Sequence, residues 1–120
     1  MAHDVWVLHG PNLNLLGRRE PKIYGRDTLA AIDARLAARG EELGLRVTSF
    51  QTNHEGALID RLQIAMDEAD GVVLNPGALT HTSMALGDAR RAVTIPVVEV
   101  HLSNLYARER ERQANLTAAA

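Results

Sequence analysis

Residues 55–77, EGALIDRLQIAMDEADGVVLNPG, carry two hydrophobic periods back to back. Leu58, Leu62, Ala65 and Met66 fall on one stripe of a helix expected over Glu55–Ala69. Two residues on, Gly71–Leu74 (GVVL) is apolar and β-branched without alternation, and too short for a helix. That is the pattern of a strand buried on both faces. A buried strand fed directly by an amphipathic helix is half of a βαβ unit, so the stretch predicts a parallel sheet with helices packed on it.

The rest of the chain repeats the pattern on either side. Short apolar runs at Val5–Leu8 (VWVL), Leu45–Phe50 (LRVTSF) and Pro96–Val100 (PVVEV) predict three more strands. Thr28–Leu43 predicts a helix capped by Asp27 or Thr28 and ended by Gly44, and Thr82–Val93 a further one. Gly87 inside the last costs about 1 kcal/mol relative to alanine, so packing must hold that helix. The fold class is α/β, an open parallel sheet with right-handed crossovers, and residues 1–120 read as one domain.

Composition limits the function classes. Lys and Arg number 13 against 15 Asp and Glu, a formal charge of −2, with no basic stripe or aromatic platform for nucleic acid. There is no cysteine, no leader-like N-terminus and no apolar run of roughly 18 residues, so a cytoplasmic protein without membrane partners is expected. The acceptor pattern Asn115-Leu116-Thr117 is then read as ordinary chain. GxGxxG, GxxxxGK[ST] and GxSxG are absent, and histidines 3, 9, 54, 81 and 101 lack metal-ligand spacing. Dinucleotide and P-loop chemistry are disfavoured, and metal is not expected.

In an open parallel sheet, ligands bind beyond the carboxyl ends of the strands. The residues there are His9–Asn14, Gln51–Glu55, Asn75–Gly77 with Thr80–Thr82, and His101–Asn104. Amides, imidazoles and hydroxyls from four segments converge on one edge, a pattern suited to a small polar substrate. Between the first strand and the first long helix lies NLLGRREPKIYG, residues 14–25, which brackets Arg18, Arg19 and Tyr24 with glycines.

Four motifs carry a family resemblance: HGPNLNLLGRREPKIYG (9–25), QTNHEGALIDRL (51–62), LNPGALTHTSMAL (74–86) and PVVEVHLSNLYARE (96–109). In this order and at this spacing, from about residue 5 to about residue 112, the chain resembles the type II 3-dehydroquinate dehydratases. The resemblance implies a flavodoxin-like fold, cofactor-free dehydration of 3-dehydroquinate to 3-dehydroshikimate by anti elimination through an enolate, and a homo-oligomer, a trimer-based dodecamer in the family. It implies Tyr24 as the general base on a closing segment hinged at Gly17 and Gly25. Arg19 is the cation that favours its phenolate, because a phenol with a pKa near 10 is a poor base at neutral pH.

By the same resemblance Asn12 holds the water that stabilises the enolate oxygen. His101 is the general acid, oriented by Glu99, and Asn75, His81, Arg112 and the backbone at Leu102 and Ser103 contact substrate. Asp88 reaches a neighbouring subunit's site, with Arg108 ordering it. Gly87 and Tyr106 stand where the family commonly has arginine and histidine. The sequence ends near RQANLTAAA, where the family continues into a fifth strand and a final helix, so a shortened homologue is expected, with VVEV as an unprotected sheet edge. The alternative function is a non-catalytic or altered-substrate homologue that assembles with partner subunits.

Overall fold

The structure, a computed structural model, describes residues 2–102 and Thr117, with the side chain of Tyr24 outside the description. Four strands, β1 (His3–His9), β2 (Leu45–Gln51), β3 (Gly71–Asn75) and β4 (Val97–Glu99), form one sheet in the order β2-β1-β3-β4. Every pairing is parallel, as the strand–helix alternation predicts. The helices are α1 (Pro21–Tyr24), α2 (Leu29–Glu42), α3 (Glu55–Glu68) and α4 (Met84–Ala92), with 3₁₀ turns at Leu13–Leu15 and Gly77–His81.

The strand pleat sorts the side chains. Trp6, Leu8, Val72, Leu74 and Val97 share one face and join Leu58, Leu62 and Ala65 of α3 and Leu86 and Ala89 of α4 in the core. Leu8, Leu58, Leu62, Leu74 and Leu86 are fully buried. Arg61 lies 4.2 Å from the centre of the Phe50 ring and 5.6 Å from that of Trp6, closing the core's margin with a cation over two aromatic faces. On the opposite face α2 packs against β2, close enough that Gly40 is buried beneath Val47.

Local chemistry sets the helix boundaries. Thr28 caps α2, its hydroxyl accepting from Ala31 N at 3.1 Å. The third long helix begins at Met84 rather than Thr82, because Ser83 takes the cap by accepting from Leu86 N at 2.8 Å, and the preceding residues are spent in the 3₁₀ turn. Gly87 is buried on α4, which supplies the packing its low helix propensity requires. At the amino end of the sheet, Arg46 of β2 donates to Asp4 of β1, and this hydrogen bond holds the Asp4 carboxyl below its ordinary pKa. Strand β4 spans only three residues, and Val98 on its outer face is exposed.

Leu62 is the middle of the α3 stripe and has no accessible surface. Leu62→Ala is expected to lower unfolding free energy by about 2–5 kcal/mol through lost burial and a residual cavity. Chemical denaturation checks this, and a loss under about 1 kcal/mol would contradict the core described above.

Candidate active site

Parallel strands bring their carboxyl ends to one edge, and the register aligns His9 with Gln51 of β2 and with Asn75 of β3. The loop leaving β1 is pinned from both neighbours. On the β3 side Gly10 N donates to Asn75 O at 2.8 Å, and Asn75 Oδ1 accepts from Gly77 N at 3.1 Å. Asn75 is buried, and its Oδ1 is taken by the turn that follows it, which fixes the direction of the amide. A Cβ on Gly10 would stand 2.5 Å from Pro76 O, so only glycine permits this approach of two backbones.

On the β2 side Gln51 Nε2 donates to Gly10 O at 3.2 Å and to Asn53 Oδ1 at 3.1 Å, and Asn12 N donates to Asn53 Oδ1 at 3.0 Å. Asn12 itself takes a left-handed conformation, φ 69° and ψ −3°, at the start of the 3₁₀ turn. Beneath the loop, the buried His9 places Nε2 2.8 Å from Asp33 Oδ1 of α2, tying that helix to the end of β1. These partnerships of Asn53 and Asp33 were not legible in the sequence. Asn53 stood among the strand-end polar residues, and Asp33 looked like any polar position of an amphipathic helix.

The end of β4 supplies a carboxylate and an imidazole. Glu99 Oε2 is 3.3 Å from His101 Nε2, with the two side chains 6% and 20% exposed. The pair is at ion-pair distance but not aligned as a hydrogen bond, and His101 Nε2 is buried without a hydrogen-bond partner among the described residues. Thr117, fully buried, donates its hydroxyl to the other oxygen, Glu99 Oε1. The sequence offered no sign of this contact: Thr117 figured there only as an unused acceptor pattern.

The remaining expected residues are distributed as follows. His81 ends the 3₁₀ turn after β3 and is partly buried, and Thr80 beside it is fully buried with Oγ1 unpartnered among the described residues. Arg19 is partly buried and its guanidinium donates to Glu20 at 3.0 Å. Tyr24 is the last residue of α1, and Gly17 and Gly25 flank that segment with φ of 85° and 83°. Asp88 is exposed on α4, and Leu102 is exposed beyond His101. Ser103, Tyr106, Arg108 and Arg112 lie outside the described residues. Among the described residues no three His, Cys, Asp or Glu side chains gather as a metal site, and no helix is long and apolar enough to cross a membrane.

This edge therefore joins a preorganised amide loop to a carboxylate-backed imidazole, with an arginine and a tyrosine on the segment between β1 and α2. Comparison with known proteins identifies the family. The family model described as dehydroquinase class II matches residues 3–120. The chain is 59% identical over 114 residues to a 3-dehydroquinate dehydratase of Bordetella pertussis, covering 94% of this chain and 79% of that protein. It is 54% identical over 109 residues to catabolic 3-dehydroquinase 1 of Neosartorya fischeri, covering 91% and 73%. The crystal structure of a type II dehydroquinase from Propionibacterium acnes superposes with a TM-score of 0.94 at 42% identity, over 98% of this chain and 81% of that one. The chain belongs to the class II dehydroquinase family.

Two glycines near the site separate close approach from ordinary chain. Gly10→Ala must displace backbone at Pro76 and is expected to cost about 1–3 kcal/mol. Gly56→Ala on α3 meets nothing within 4 Å and is expected to be neutral or stabilising by up to about 1 kcal/mol. Thermal unfolding of both variants checks the contrast, and equal midpoints would show that the β1 loop is not packed as described.

Proposed function

We infer that this protein is a 3-dehydroquinate dehydratase, a hydro-lyase that removes water from 3-dehydroquinate to give 3-dehydroshikimate in the shikimate and quinate pathways. The observation that carries the reading is the Glu99–His101 pair set beside the Asn12 and Asn75 loops at one sheet edge, in a chain of this family. A cyclic hydroxy-ketone acid is a small polar substrate, and amide and imidazole groups at such an edge suit it.

The chemistry assigns each group a task. A proton alpha to the ketone leaves first, and Tyr24 is its acceptor, as a phenolate favoured by the charge of Arg19. Arg19 engages Glu20 through Nη2, and its other N–H groups serve Tyr24 as the segment between Gly17 and Gly25 closes. The electron pair left at carbon moves onto the ketone oxygen, and the Asn12 amide, through the water it holds, stabilises the resulting enolate. The enolate then collapses, the carbon–oxygen bond of the tertiary hydroxyl breaks, and His101 gives it the proton that makes water. Glu99 orients the imidazole, and Thr117 on the other carboxylate oxygen fixes the carboxylate in turn. Asn75, His81, Arg112 and the backbone at Leu102 and Ser103 hold the substrate.

The reading extends to the whole particle. The chain acts as one domain in the cytoplasm and assembles as a homo-oligomer, in which exposed Asp88 reaches a neighbouring site and Arg108 orders it. No metal or organic cofactor enters any step.

The product is a conjugated enone and the substrate is not, so an absorbance progress curve with 3-dehydroquinate tests the activity directly, and a flat trace would refute it. Tyr24→Phe is expected to lower kcat by at least about 10²–10⁴-fold with little change in substrate affinity. A kcat near that of the unaltered protein would remove Tyr24 from the mechanism. His101→Ala is expected to retain solvent deuterium exchange at the acidic carbon while product formation falls by a similar factor. Loss of both in parallel, or of neither, would refute its role as the acid.

A further inference from the structure

Asn12 is a non-glycine residue at φ 69°, a left-handed backbone region that costs most L-residues energy and that asparagine tolerates best. Its own side chain makes no capping hydrogen bond to the turn it begins. Its carbonyl accepts from Leu15 N at 2.9 Å within the turn, and from outside the turn its N–H is held by one atom. Asn53 Oδ1, 41 residues away at the end of β2, accepts from Asn12 N at 3.0 Å and from Gln51 Nε2 at 3.1 Å. Gln51 Nε2 also reaches Gly10 O at 3.2 Å, so both limbs of the β1 turn are tied to the β2 end through this amide pair.

We propose that Asn53 is a positioning residue for the dehydration: its side-chain oxygen fixes the Asn12 backbone and so sets where the Asn12 amide meets the developing enolate. The proposal rests on the reading of the site given above. Its physical content is that Asn53 acts only as an acceptor. Both of its contacts are made by Oδ1, so an aspartate preserves them and an alanine removes them. Asn53 also acts on a single step. Misplacing the oxyanion donor slows enolate formation, whereas the His101 end of the site, built on β4, is untouched.

The test compares Asn53→Ala, Asn53→Asp and Gln51→Ala in the full chain. Asn53→Ala is expected to lower kcat about 10- to 100-fold with KM changed less than about threefold. Deuterium exchange at the acidic carbon is expected to fall in step with turnover, the opposite of His101→Ala. Asn53→Asp is expected to restore kcat to within about threefold, with its added charge read in KM alone. Gln51→Ala, which leaves Asn53 unbraced, is expected to fall between them. Hydrogen exchange of the Asn12 amide supplies a readout independent of turnover: protection is expected to drop at least about tenfold in Asn53→Ala and to return in Asn53→Asp. Unchanged kcat and unchanged Asn12 protection in Asn53→Ala overturn the proposal. So does an aspartate variant that, with Asn12 protection retained, is as slow as the alanine. An unaltered protein without dehydratase activity instead overturns the functional reading, and the exchange measurement still decides the clamp. If Asn53→Ala does not fold, Asn53→Asp and Gln51→Ala decide it by the same two readouts.

Discussion

The register of β1 is the constraint on which the candidate site depends. With His9 opposite both Gln51 and Asn75, three strand ends stop at one level, and the loop after β1 runs between two others that can hold it. A slip of one residue would turn Leu8 out of the core and bring His9 into it. Leu8 has no accessible surface, so burial of the α3 and α4 side chains enforces the same register that aligns Gln51, Asn53 and Asn75 around Asn12. Core and site are thus one specification. The apolar face fixes the register, and the register sets the strand ends from which the polar residues just past it reach one another.

Much of this was legible in the sequence, for a physical reason: strands buried on both faces announce themselves as continuous β-branched runs, and GVVL and VWVL did so. At β4, Pro96–Val100 reads as five apolar or extended positions, and while the assigned strand is Val97–Glu99, Pro96 O and Val100 N close the ladder's ends on Val72 N and Leu74 O. The helix after the third strand was read two residues early because a 3₁₀ turn and a capping serine look like helix in composition. Within the candidate site, Asn12 and His101 were read from their place after strands and, with Glu99, from the resemblance. Their supports were not. Asn53 lies 41 residues from Asn12, Asp33 24 residues from His9, and Thr117 18 residues from Glu99, and such contacts carry no local period to read.

The site divides into a part built rigidly and a part held lightly, and the division follows from where each group sits. Asn12, Asn75, Glu99 and His101 stand on or directly after strands whose hydrogen bonds and buried neighbours fix them. The segment from Gly17 to Gly25 is different. Its helix has four residues, too few for helical cooperativity to help it, and among the described residues its backbone bonds, Arg18 N to Leu15 O, Ile23 N to Glu20 O and Gly25 N to Pro21 O, are local. Glu20 adds a left-handed non-glycine backbone, and Pro21, Lys22 and Ile23 are exposed.

Few buried contacts and local bonds define a segment that opens at small cost. On the proposed mechanism this is the segment that carries the base, and the arrangement is economical: the groups that receive developing charge are preorganised and need not move, while the group that must admit substrate and then exclude water is the one the fold leaves cheap to displace. Placing the base on the sheet edge and the enolate donor on the movable segment would reverse this. Charge stabilisation would then depend on a conformational equilibrium renewed in every turnover, and the register of β1 would no longer contribute to catalysis.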